Sequence, residues 1–236
     1  DDMIAVQGEP FGGTSIYAQY RVFKLARENG VAVTLDGQGA DELLGGYNGY
    51  PGPRLHSLVD RRDYLDVLRF LNSWSKWPGR TWRAGATRLV GELTDGPLHD
   101  VLRNLVGQRN SPDWINSQVL REAGVKLGWS SRADSSDAGG RRMMSALRDA
   151  LTVKGLPALL RHADRNSMRF SVESRVPFLT IEMAEFLLSL PEQHLVADNG
   201  ETESLFRAAM RGVVPDRILD RRDKIGFATP EREWIV

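Results

Sequence analysis

Apolar positions recur three or four residues apart at Ile16, Tyr20 and Phe23, with Ala26 and the stem of Arg27 extending the same face. That period predicts a helix over 14–29. Thr14 or Ser15 stands where its cap belongs, and Gly30 where it stops. The pattern then changes: Val31-Ala32-Val33-Thr34-Leu35 is a short β-branched run and predicts a buried strand. Residues 40–47 predict a short helix, broken by Tyr50-Pro51-Gly52-Pro53. From Leu55 to Leu71, Leu58, Leu65, Val67 and Leu68 predict one further helix. Glycines and prolines interrupt the chain from Trp74 to Trp129, which predicts short helices joined by loops. Ser130 to Gly140 is a flexible connection by composition. Helix returns over 143–162, interrupted near Gly155 and Pro157, and again near 180–190 and 201–211. The pattern belongs to the α/β class, mostly helical after its first strand, with no internal repeat and no clean second domain.

The strand empties into Asp36-Gly37-Gln38-Gly39-Ala40-Asp41-Glu42-Leu43-Leu44-Gly45-Gly46-Tyr47. Two close glycines let a backbone turn sharply and approach a ligand with no Cβ in the way. Open α/β sheets build ligand sites at the carboxyl ends of their strands. No Gly-Lys-Ser/Thr follows, so this is not a Walker A loop. It is not an EF-hand either, because Asp41 stands where the central glycine belongs and Tyr47 where the bidentate glutamate belongs. The same residues would equally make a tight strand-to-helix turn, with Asp41 and Glu42 favouring the helix N-terminus.

Composition narrows the classes. The chain has 236 residues, and Lys+Arg and Asp+Glu both number 31, so no basic field draws nucleic acid. There is no cysteine, hence no disulfide, thiolate metal site or cysteine nucleophile. No run of about 18 apolar residues spans a membrane. His162, Asp164, Arg165 and Arg169 fall within two turns and read as a salt-bridged helix face. No serine or cysteine partner motif gives His162 a base's work. Lys224 follows Arg221, Arg222 and Asp223, and the apolar Gly226-Phe227 step after it is able to tuck one cation inward.

Three segments together resemble the asparagine synthetase family. The loop Asp36–Glu42 with Gly45-Gly46-Tyr47 is similar to the family's loop beside ATP and the acyl-adenylate. Arg161–Met168 followed by Glu173–Leu179 resembles its second signature, and Arg221–Pro230 its third. Their common order over most of the chain is more specific than any one of them. The resemblance implies an adenine-nucleotide α-hydrolase-like (PP-loop ATPase) synthetase domain. It further implies that residues 1–236 are the C-terminal part of that domain in a longer chain. The family's Ser-Gly-Gly-x-Asp-Ser pyrophosphate loop and its glutaminase domain with a terminal cysteine are not matched; Gly12-Gly13-Thr14-Ser15 lacks the aspartate.

The resemblance also implies a reaction. An aspartate β-carboxylate attacks ATP to give β-aspartyl-AMP, and ammonia from glutamine then gives asparagine. Asp36, Gly37 and Asp164 are placed at the nucleotide, and Asp41 as a ligand of Mg2+. Lys224 is set against the phosphates as a catalytic cation, in one cleft with Asp41 and with Gly37 on its wall. Glu173 and Arg175 are placed as supports of the pocket wall. Gln38 departs from the glutamate of many members; it can hydrogen-bond to ammonia but cannot take a proton. Relatives on this scaffold, such as β-lactam synthetases and lasso-peptide cyclases, activate other carboxylates, and a non-catalytic fragment is the third reading. The expectation is a cytoplasmic ligase, with a homodimer compatible and the isolated chain inactive.

Overall fold

The structure is a computed structural model that describes residues 1–94, 115–125, 139–223, 227 and 229–234. The chain divides into two compact units, a division its apolar pattern does not announce. The first comprises Asp1–Asn48, Leu147–Leu195 and Thr202–Val236; the second comprises Gly49–Ala146 and Val196–Glu201.

In the first unit, α1 (Asp2–Gln7) and α2 (Ser15–Glu28) precede β1 (Val33–Leu35). Helix α2 runs where the periodicity places it, and Tyr20 and Phe23 are buried. Thr14 is its N-cap residue but makes no side-chain cap; its hydroxyl pairs with that of Thr229 at 2.5 Å. Helix α3 (Ala40–Leu44) follows the loop and stops at Gly45, whose φ of 72° is left-handed. Later in the chain come α9 (Leu156–Met168), β2 (Glu173–Arg175) and α10 (Ile181–Ser189). Then follow α11 (Ser204–Ala209), α12 (Asp216–Leu219) and α13 (Glu231–Trp234). Helix α9 packs on both α1 and α2.

Strands β1 and β2 pair in parallel, with Val33 opposite Glu173, Thr34 opposite Ser174 and Leu35 opposite Arg175. The buried strand expected at 31–35 is corrected here: Val31 and Val33 are each 40% exposed and Leu35 is 76% exposed. The sheet of the described residues has two strands, so among them β1 has one partner, β2, and an unpaired second edge. β-branched residues favour the extended chain, but burial needs neighbours on both sides.

The second unit is helical. Helices α4 (Pro51–Asp60), α5 (Tyr64–Trp74) and α6 (Trp82–Leu93) pack against one another. Pro51 does not break a helix but opens α4, because a first-turn residue has no N–H bond to lose. The single helix expected from Leu55 to Leu71 is two, parted at Arg62, whose φ is 62°. The face also differs from the leucine pattern. Leu65 and Leu68 are 70% and 51% exposed, while Val67, Phe70, Leu71 and Trp74 are buried. Gly85 lets α6 close on α5, since a Cβ there would lie 2.6 Å from Leu71 Cδ2. Arg80 and Trp77 donate to the carbonyls of Gly200 and Asn199 at 3.1 and 2.9 Å.

Between Trp74 and Trp129 the described helices are α6 and α7 (Ser117–Glu122). Residues 95–114 and 126–138, most of the expected flexible connection among them, lie outside the described residues. Helix α8 (Arg142–Thr152) ends before α9 at Val153 to Gly155, and Pro157 sits in the first turn of α9. No helix of the described residues is long and apolar enough to cross a membrane.

Candidate functional site

The glycine-rich loop starts at the carboxyl end of β1. Asp36 continues the ladder by one bond, its N–H donating to the Arg175 carbonyl at 2.7 Å. The turn itself falls on Gly39, whose φ of 88° suits glycine. A Cβ at Gly39 would overlap Leu179, with its Cγ 2.6 Å away. Gly37 differs from Gly39. It is exposed, its φ is not left-handed, and a Cβ would meet nothing within 4 Å among the described residues. The fold requires glycine at 39, whereas at 37 it leaves open space above the loop.

Gln38 is half-buried, and its amide makes no hydrogen bond among the described residues. Asp41 opens α3 and is half-buried. A Cβ on Gly46 would overlap Asp41 Oδ1 and come 2.5 Å from Glu203 Oε1, so the two carboxylates are neighbours across that glycine. Gly46 also donates its N–H to the Asp41 carbonyl at 3.0 Å. Behind them Glu42 is buried and accepts the Tyr47 hydroxyl at 2.8 Å. Among the described residues no group of three or more His, Cys, Asp or Glu is arranged to hold a metal ion. Magnesium needs only one or two protein carboxylates, because it takes the rest of its shell from water and phosphates.

The second signature meets the first by backbone and packing more than by charge. Its strand β2 carries β1, and Leu179 fills the hollow at Gly39. Phe178 meets Phe206 of α11 edge-on, with ring centroids 5.5 Å apart. Glu173 and Arg175 pair with each other at 2.8 Å on an exposed face. That guanidinium holds the Glu173 carboxyl below the usual range. Asp164 is exposed on α9 and makes no side-chain bond to the loop.

His162 is 8% exposed and belongs to the core. Its Nδ1 lies 2.7 Å from Gln7 Oε1, and Gln7 Nε2 donates to Asn166 Oδ1 at 2.8 Å. With the Gln7 amide so oriented, the network assigns the proton to Nδ1. Burial pushes the imidazole pKa down, and Arg161 and Arg165 add to the fall.

Lys224 lies outside the described residues, so the expected convergence of Lys224 and Asp41 has no geometry here. Arg221 and Asp223 pair with each other at 2.8 Å. Phe227 is 62% exposed, and the cation expected to be tucked inward before it, Lys224, lies outside the described residues.

The sequence reading missed Glu203 and Arg207. Glu203 precedes α11 with φ 58° and ψ 26°, a left-handed conformation uncommon for glutamate. Arg207 Nη2 donates to Glu203 Oε2 at 3.1 Å, and its Nε to the Thr202 carbonyl at 3.0 Å. Its Nη1 reaches the carbonyls of Leu219 at 2.5 Å and Arg221 at 3.2 Å. The spacing of four between Glu203 and Arg207 is a local signal for their pairing, but nothing local announces the bonds to the carbonyls of Leu219 and Arg221, which join a separate turn.

The family model described as asparagine synthase matches residues 1–236. Asparagine synthetase [glutamine-hydrolyzing] 1 of Bacillus subtilis (strain 168) is 29% identical over 232 residues, covering 96% of this chain and 35% of that protein. A putative asparagine synthetase [glutamine-hydrolyzing] of Mycobacterium tuberculosis (strain ATCC 25618 / H37Rv) is 29% identical over 237 residues, covering 96% and 34%. Asparagine synthetase [glutamine-hydrolyzing] 3 of B. subtilis is 39% identical over 64 residues, 27% of this chain and 10% of that protein. The chain thus spans about a third of the length of the first two relatives. No solved structure matches significantly.

Proposed function

This chain belongs to the asparagine synthase family, and from that premise we propose that it forms part of an ATP-dependent, amide-forming ligase with a PP-loop-type synthetase domain. The 236 residues would be the C-terminal part of that domain. A glutaminase domain elsewhere in the polypeptide would supply ammonia. In the proposed reaction an aspartate β-carboxylate attacks the α-phosphorus of ATP and pyrophosphate leaves. Ammonia then attacks the acyl carbon of β-aspartyl-AMP, loses a proton and expels AMP, leaving asparagine.

The observation that carries this reading is the loop at the carboxyl end of β1. It is pinned at Gly39 by Leu179 and left open at Gly37, the arrangement in which α/β sheets accept nucleotides. Asp36 and Gly37 would border the adenosine, with Asp164 also on the nucleotide side. Asp41 would hold magnesium, which supplies positive charge against the phosphate oxygens. Lys224 would stabilise the charge that develops on the phosphates and the leaving group. Gln38, with an amide free to hydrogen-bond, would orient ammonia.

ATP–pyrophosphate exchange by the complete gene product tests the reading. Exchange should depend on an acid and be highest with aspartate in a panel of carboxylates. Asp41→Asn should lower kcat of exchange by about 100-fold or more, since it removes charge needed in the transition state. Gln38→Ala should leave exchange intact and slow amide formation. Exchange with another acid in preference would reassign the substrate; no acid-dependent exchange would overturn the proposal.

A further inference from the structure

Gln7 and Asn166 are completely buried, at 0% exposure each, and their amides join three helices of the first unit. Gln7, at the end of α1, spends both its N–H bonds on α9. One goes to Asn166 Oδ1 at 2.8 Å and the other to the His162 carbonyl at 3.3 Å. Its Oε1 meets His162 Nδ1 at 2.7 Å. Asn166 in turn donates to α2, at the Ile16 carbonyl and Gln19 Oε1, at 3.1 and 3.0 Å. A side-chain amide has two donor hydrogens, so neither residue has one left over. Burying such groups is costly unless their bonds are made, and a slide of α9 by one residue, about 1.5 Å, would break them. The outer tie between α1 and α9, Arg169 Nε to Asp2 at 2.9 Å, is half-exposed and contributes little.

The register of α9 passes to the loop in short steps. The helix ends in a tight stop: Ser171 has a φ of 51°, and the buried Val172 donates its N–H to the Ser167 carbonyl at 3.1 Å, the closure of a Schellman motif. The next residue opens β2, and the Glu173 N–H meets the Ala32 carbonyl at 2.8 Å. Strand β2 then holds Asp36 through the Arg175 carbonyl, and Leu179 beyond it packs at Gly39. We propose that Gln7 and Asn166 are positioning residues of the glycine-rich loop: they fix the register of α9, and with it the strand on which residues 36–39 stand. The role rests on the ligase reading above. Neither amide acts on a reactant. Their contribution is geometric, and a displacement of about 1 Å set off far from the chemistry is enough to cost about 100-fold in rate.

The test uses the complete gene product carrying Gln7→Ala, Gln7→Met or Asn166→Ala. Leu58→Ala, a core deletion in the second unit, is the control for lost stability. Gln7→Met keeps the volume and removes the polar bonds, so it covers the case in which Gln7→Ala does not fold. Each variant is assayed at a temperature where circular dichroism shows it folded. In the amide variants kcat of ATP–pyrophosphate exchange should fall about 10–100-fold, with KM for ATP changing less than about 3-fold. Backbone hydrogen exchange should rise at 33–39 and 173–175 as well as in α9. Leu58→Ala should lower Tm and leave kcat as it is. A kcat within about twofold of the parent in the amide variants, an equal fall in Leu58→Ala, or hydrogen exchange raised in α1 and α9 alone would each make the amides core residues only and overturn the proposal. If the parent protein shows no acid-dependent exchange, the ligase reading fails and takes the catalytic side of the role with it; hydrogen exchange at 33–39 then still decides separately whether the two amides hold the loop.

Discussion

His162 sits in a signature segment and has the chemistry of a catalyst, yet its ring spends its donor on Gln7 in the core. Its pKa is lowered from an ordinary 6.5 by burial, then by Arg161 and Arg165. A group whose folded pKa is depressed contributes stability that is present above the unfolded value and lost as pH falls through the folded one. Thermal unfolding should therefore show Tm declining as pH drops below about 6.5, and His162→Gln should flatten that decline. An unchanged slope in the variant would place the pH sensitivity elsewhere. At this scale the sequence was readable where chemistry is local. The position of Asp36, Gly37 and Asp41 just after β1 was legible, because it follows from their order in the chain. Arg207 was not readable, because its worth lies in carbonyls twelve and fourteen residues away.

Gly37 and Gly39 look equivalent in the sequence, but the loop makes different demands on them. Gly39→Ala places a side chain on a left-handed residue and against Leu179, and should cost about 2–4 kcal/mol of stability. Gly37→Ala meets nothing and should change stability by less than about 0.5 kcal/mol. On the proposed function it should instead weaken ATP binding, so denaturation and nucleotide titration on the two variants separate fold from site. Equal losses of stability would show that Gly37 too is structural. Helix α2 was legible because one face of a 14-residue element repeats Tyr20 and Phe23 at helical spacing. The α4–α5 boundary was not, because leucines continue through it and the turn depends on Arg62 alone adopting a positive φ.

At the scale of the whole molecule, β1 was recognisable as a strand, but its burial was not. That depends on neighbours, and among the described residues Val33 and Leu35 stay 40% and 76% exposed. The 236 residues contain no Ser-Gly-Gly-x-Asp-Ser run. On the proposed function, the isolated chain should therefore catalyse neither pyrophosphate exchange nor amide formation at a useful rate. Robust exchange by the purified 236-residue chain would mean that its phosphate site is built another way. The same open strand should make that isolated chain prone to self-association, readable as concentration-dependent light scattering. Leu35→Lys should reduce it, since a charge on an open edge discourages pairing.

The parallel ladder also sets an order of events in time. Thr34 donates to the carbonyl of Glu173, 139 positions further along the chain, and most of the second unit is encoded between the two strands. A ribosome releases β1 long before it makes β2, so the glycine-rich loop has no floor in that interval. The entropic cost of closing a loop grows only slowly with its length, but the search for so distant a partner delays folding. The α4–α6 helices, whose contacts are near in sequence, have no such wait. Refolding followed by hydrogen exchange should protect α4–α6 before β1.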